Sequence, residues 1–316
     1  IGDSTGLGAT GAVAVGNTDT TTLTLDGTVY STDSTQTYIA KAGQNIDITD
    51  ASTFTTTNDN VEFGTAGVDL INGNDGSAHT VTINTGTGAG GVTFGAAIES
   101  DGSNDETLTI TSGEGTVLFS GAIGATEELG GLNVNASAGN GIITFSDDIG
   151  DTNAPQSGVI GTTDIGNTAT TRIDFDGGLY SFDGTTTFEA TTGDTFDVSV
   201  ATTFETAGDT ISFSKGTINL AADGANLAIN SSGGAITVGN ITGHSSETVS
   251  IDANVAGGTP TTETVNITGN IGNANEILTV TVEARDGITL TGGSSGITID
   301  TADAANPNIA LNSTNG

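Results

Sequence analysis

The residues best suited to hold a ligand lie on oxygen-rich turns. Asn72-Gly-Asn-Asp-Gly76, Asp101-Gly-Ser-Asn-Asp-Glu106 and Ser146-Asp-Asp148 with Asp151 place carboxylates and amides on short loops. Hard oxygen ligands on a tight turn are what Ca²⁺ uses. Asp101, Asp105, Asp147, Asp148 and Asp151 are therefore the candidate calcium ligands. The same residue types also build turns by hydrogen-bonding nearby backbone. The tandem Gly-Gly-x-Gly-x-Asp pattern of calcium-binding β-rolls is missing, so turn building is the simpler role. Polysaccharide cleavage needs close carboxylates beside groups that stabilise charge. The cationic and imidazole side chains are Lys41, Arg172, Lys215, Arg285, His79 and His244, scattered along the chain. Nucleophile elbow, Cys/His pair and phosphate loop are all missing, so neither an enzyme nor an organic cofactor is expected.

Two further patterns involve Thr and Asn. Thr-x-Thr recurs at Thr22, Thr53, Thr80 and Thr107, with irregular intervals of 31, 27 and 27. That reads as ordinary strand surface and not as the regular Thr ladder of an ice-binding solenoid. Asn135, Asn230, Asn240, Asn266 and Asn312 head glycosylation sequons, several of which chance supplies in so Asn/Thr-rich a chain.

Whatever these groups do, repetition positions them. Residues 16–70 and 166–220 align without a gap at a shift of 150, with 22 identities in 55 positions. Leu23/Ile173, Leu25/Phe175, Val29/Leu179, Ile46/Phe196 and Val61/Ile211 stay apolar. Glu106-Thr-Leu-Thr-Ile110 answers Glu247-Thr-Val-Ser-Ile251, and Ile1-Gly-Asp3 answers Ile149-Gly-Asp151. The expected organisation is one repeat unit over 1–150, a second over 151–300 and a tail over 301–316. Within the units apolar and polar residues alternate, as in Leu108-Thr-Ile110 and Val265-Asn-Ile267. Period-two alternation with β-branched residues signals half-buried strands, and helical spacing appears nowhere. Val92, Val117 and Ile142 open similar strands 25 residues apart, while Ile98, Ile123 and Ile149 form a parallel series. Three short strands per 25 residues make one coil of a β-solenoid, a fold in which each coil buries its apolar face on the next. Twelve or thirteen such coils would give a rod roughly 60 Å long. Tandem β-sandwich domains are the rival, disfavoured by the lack of Trp, the three Tyr, the three Pro and the coil-length beat.

Composition narrows the partners. With 38 acidic and 4 basic residues the formal charge is −34, which opposes nucleic acid and anionic membranes. Charged residues are only 13% of the chain, too few for an acidic disordered tail. Cys and Met are both absent, which suits an oxidising extracellular setting. Lacking Met, the sequence reads as processed or as a stretch of something longer. No apolar run reaches the length of a membrane span.

The strings Gly91-Val-Thr-Phe-Gly95, Thr116-Val-Leu-Phe-Ser-Gly-Ala-Ile-Gly124 and Leu129-Gly-Gly-Leu-Asn-Val134 resemble the strand repeats of large bacterial surface exoproteins, the filamentous-haemagglutinin-like adhesins. The resemblance covers roughly residues 80–300 and implies a right-handed parallel β-helix on a cell surface. The expected role is structural: an extracellular segment of a filament, sheath or adhesin stalk that joins copies of itself end to end. A carbohydrate- or cell-binding adhesin module is the alternative, and a polysaccharide-degrading β-helix enzyme the less favoured third.

Overall fold

The computed structural model describes residues 8–70, 78–102, 106–136, 139–151, 158–254, 263–273, 275–292, 296–302 and 308–313. Among them every regular element is a strand, and every pairing between named strands is parallel. The strands stack into a three-sided β-solenoid of about eleven turns. One face is a ten-stranded sheet, a second has eleven strands, and the third holds sheets of four and six strands. At about 4.8 Å per turn the stack is some 50 Å long.

The first face is named here for its aromatics. Tyr38, Phe63, Phe94, Phe119, Phe145 and Phe175 lie in one inward column, each paired in register with the next. Their rings stack at centroid distances of 5.3, 5.0, 5.4, 4.9 and 5.9 Å. In-register parallel pairing puts like side chains over like, so alternation becomes a continuous ladder. All eleven Phe and three Tyr of the chain are buried. Apolar side chains from all three faces join in one core that runs the length of the stack.

The eleven-stranded side is the threonine face, after its outward residues. The third is the acidic face. Its two sheets are joined only by single-residue pairs, Ile98 to Ile123, Ile123 to Ile149 and Ile149 to Tyr180. The aromatic and threonine sheets run past residue 150 without a break. There Gly141–Phe145 pairs with Thr170–Phe175, and Gly131–Ala136 with Thr163–Ile165.

Turn length varies, from 22 residues between Val198 and Leu220 to 31 between Val61 and Val92. Loops at the corners absorb the difference, which is why eleven turns form and not the twelve or thirteen of a fixed 25-residue beat. The same slack shifts one expected pairing. Val117 pairs with Ile143 and not Ile142, because Phe119 registers on Phe145. A one-residue slip would have turned the Phe column outward.

The duplicated block folds alike in both copies but on different faces. Leu23–Leu25 on the acidic face answers residues of Thr170–Phe175 on the aromatic face. Thr53–Thr55 on the threonine face answers Thr202–Thr206 on the acidic face, and Val61–Phe63 on the aromatic face answers Ile211–Ser214 on the threonine face. Phe54, Phe204, Phe63 and Phe213 all point inward. Local detail is retained. The Tyr30 hydroxyl accepts the Gly27 N–H and the Tyr180 hydroxyl the Gly177 N–H, each at 2.9 Å. Gly16 and Gly166 share a left-handed φ of 78° and 79°, and a Cβ on either would lie 2.1 Å from a carbonyl oxygen of the adjoining turn. The 150-residue offset is thus a whole number of sides but not of turns. The copy is rotated by one face, which is tolerable because the three sides present equivalent inward geometry.

Candidate functional site

Three carboxylates stand one turn apart on the acidic face. Asp47 registers on Asp69 and Asp69 on Glu99, all outward from their strands. At about 4.8 Å per step they form a stripe of like charge. Asn45 donates to Asp69 at 2.6 Å, and Glu99 accepts the N–H groups of Thr126 and Glu127 at 3.1 and 3.0 Å. Partial burial raises the Asp47 carboxyl. Burial, with Asp47 adding, raises Asp69 against the Asn45 hydrogen bond. Burial, with Asp69 and Glu127 adding, raises Glu99 against its two backbone donors. Asp164 on the threonine face is raised by burial and by Glu189.

Glu99 exemplifies a wider device. Corner side chains of one turn accept backbone N–H groups of the next. Asn58 takes Thr87 and Gly88, Asn60 takes Gly91, Asn226 takes Thr248, Asn240 takes Asn270 and Asn270 takes Thr298, at 2.6 to 3.0 Å. Most lie where successive turns are 27 to 31 residues apart. A longer loop cannot pair residue by residue with a shorter one beneath it, so a side-chain oxygen satisfies the orphaned N–H.

Asp148 belongs to this set. One of its oxygens accepts Gly178 and Leu179 N–H at 2.7 and 3.0 Å, while Asp147 accepts the Asp148 N–H at 3.0 Å. Asp101 is exposed on a loop beside the acidic face, Asp151 is half-buried, and Asp105 and Asn72–Gly76 lie outside the described residues. Among the described residues no group of three or more His, Asp or Glu is placed to hold a metal ion.

Three buried glutamates escaped the sequence reading. Glu106, Glu247 and Glu263 are 1%, 0% and 1% exposed, each immediately before a strand. Their shared signal is Glu-Thr-Leu/Val-x-Ile, present three times. Ser100 donates to Glu106. Glu247 accepts the N–H groups of His244, Ser246 and Gly224 and the Ser246 hydroxyl. Burial pushes the Glu247 carboxyl up, but those donors outweigh it and hold it below its ordinary value. Arg285 approaches Glu263 at 3.8 Å.

The cationic groups are dispersed among carboxylates. Arg172 pairs with Asp174 at 2.7 Å, Lys215 with Glu189, and His244 stands 4.0 Å from Asp223. A shallow polar groove of about 260 Å³ is lined by Thr217, Asn240, Ile241, Thr242, Asn270 and Asn273. The Thr-x-Thr pairs are drawn together where their spacing had argued against it. Thr53 pairs with Thr82, and Thr82 with Thr109, because loops take up the irregular intervals.

Comparison with protein families, curated proteins and solved structures finds no match to this chain.

Proposed function

We propose that this chain is an extracellular structural rod, a β-solenoid segment of a surface filament, sheath or adhesin stalk that stacks end to end. The observation that carries this reading is the state of the last turns. Leu290, Ile309 and Leu311 continue the inward columns yet are 47%, 38% and 41% exposed. Val15 and Leu23, near the other end of the stack, are only partly covered. A further turn laid on these strands would extend both the backbone ladder and the apolar ladder. Along the sides, outward Asn and Asp side chains are spent on clasping neighbouring turns, which suits a load-bearing shaft. The surface-exoprotein resemblance supports the same reading.

Light scattering and electron microscopy at rising concentration test it. Stacking predicts rods whose lengths are multiples of one stack, and Leu311→Asp should return them to single stacks. Single, monodisperse wild-type stacks at high concentration would overturn the proposal.

A further inference from the structure

Four consecutive turns put Thr53–Thr55, Thr80–Asn84, Thr107–Ser112 and Gly131–Ala136 side by side on the threonine face. These strands contain no Asp, Glu, Lys or Arg. Register aligns Thr53, Thr82, Thr109 and Asn133 in one outward column. Thr55, Asn84, Thr111 and Asn135 form a second, and Thr80 with Thr107 begins a third. The result is a grid of hydroxyl, methyl and amide groups, about 4.8 Å between turns and about 6.7 Å along each strand. Between these columns Phe54, Ile83, Ile110 and Val134 are buried in the core. They fix the rotation of each strand, and β-branching stiffens each Thr at χ1. The grid is therefore rigid as well as regular.

Charge is segregated from it. On the same stretch of the rod the acidic face carries Asp47, Asp69 and Glu99, and the aromatic face carries Glu62 outward. In a chain of formal charge −34, a neutral patch spanning four turns needs a partner that is itself uncharged. With every aromatic ring buried, no stacking platform for sugar rings is presented.

We infer that this face binds ice. A charged group orients its hydration shell radially, in a pattern foreign to a crystal. A fixed two-dimensional array of hydroxyls holds waters at repeating positions, and the methyls between them keep that layer from exchanging hydrogen bonds with the protein at random. The layer then merges with a growing ice surface.

The test is ice shaping, freezing-point hysteresis and inhibition of ice recrystallisation by the purified chain. Three variants accompany it: Thr82→Lys, Thr109→Lys, and Thr93→Lys, which sits on the aromatic face in the same turn as Thr109. The wild type and Thr93→Lys should act on ice, and the two threonine-face variants should fall to the level of buffer with unchanged circular dichroism. Should the Lys variants fail to fold, Thr109→Val, which keeps shape and removes the hydroxyl, should show reduced activity. Absence of wild-type activity, or equal loss in Thr93→Lys, overturns the inference. So does finding that Thr109 governs sedimentation with crystalline cellulose, or face-to-face pairing with a second copy, without any effect on ice.

Discussion

Removing one ring from the middle of the aromatic column should cost most of a small domain's stability. Phe119 is 1% exposed and stacks between Phe94 at 5.4 Å and Phe145 at 4.9 Å, with interplanar angles of 4° and 3°. Truncating a buried Phe to Ala costs about 3–5 kcal/mol, the larger values where the cavity cannot collapse. Collapse is restricted here, because the backbone ladder holds adjacent turns about 4.8 Å apart. Each lost stacking contact adds about 0.5–1.5 kcal/mol beyond area, so Phe119→Ala should lose about 4–5 kcal/mol. Phe119→Leu should lose about 1–2 kcal/mol, and outward Thr93→Ala less than about 0.5 kcal/mol. Urea unfolding followed by far-ultraviolet circular dichroism measures all three. In a solenoid, stability is a sum over turns and their interfaces, so a lesion at one interface should also split the transition and lower its slope. Hydrogen exchange should show the opening first around Ile123 and Ile149, where the acidic face is held by single-residue pairs. A Phe119→Ala loss under about 1.5 kcal/mol, well below the usual range for a buried Phe, would refute a continuous load-sharing column. Should Phe119→Ala fail to fold, the Leu variant still decides.

The acidic stripe gives a prediction of opposite sign to ordinary acid denaturation. The folded-state pKa values of Asp47, Asp69, Glu99 and Asp164 are raised, so the folded state binds more protons than the unfolded one in that window. Their contribution is present below the unfolded pKa and lost as pH rises through the folded one. Melting temperature should therefore rise on acidification from about pH 6 toward pH 4.5, by less in Asp69→Asn. Identical profiles for wild type and Asp69→Asn would refute the stripe as the cause. Glu247, held low, works in the opposite sense, losing its contribution as pH falls through its folded value. At the Asp148 clasp, Asp148→Ala strands the Gly178 and Leu179 N–H groups and should lose about 1–3 kcal/mol in the same urea assay. Asp148→Asn keeps an accepting oxygen and should recover most of it; an equal loss in both would show that Asp148 acts through charge instead.

Much of the fold was legible because a solenoid writes its period into the chain. Alternation in Leu108-Thr-Ile110 specified strands, and the run from Ile98 to Ile123 to Ile149 named residues that do pair from turn to turn. The 55-residue duplication specified inward Phe54, Phe63, Phe204 and Phe213. Sequence alone could not say which side of the coil each copy occupies, since short alternating strands fit all three sides equally well. That depends on the summed length of intervening loops, which only the stacked backbone fixes. The same slack hid the Thr grid. Intervals of 31, 27 and 27 look irregular in one dimension, yet loops absorb them and Thr53, Thr82 and Thr109 meet in register. Asp148 was legible as an oxygen donor on a turn, but its partners lie about thirty residues away on the next coil. Glu106, Glu247 and Glu263 read as surface carboxylates because charge predicts exposure. Their burial was decided by tertiary structure, which closes each corner over its carboxylate and, at Glu106 and Glu247, supplies donors to it.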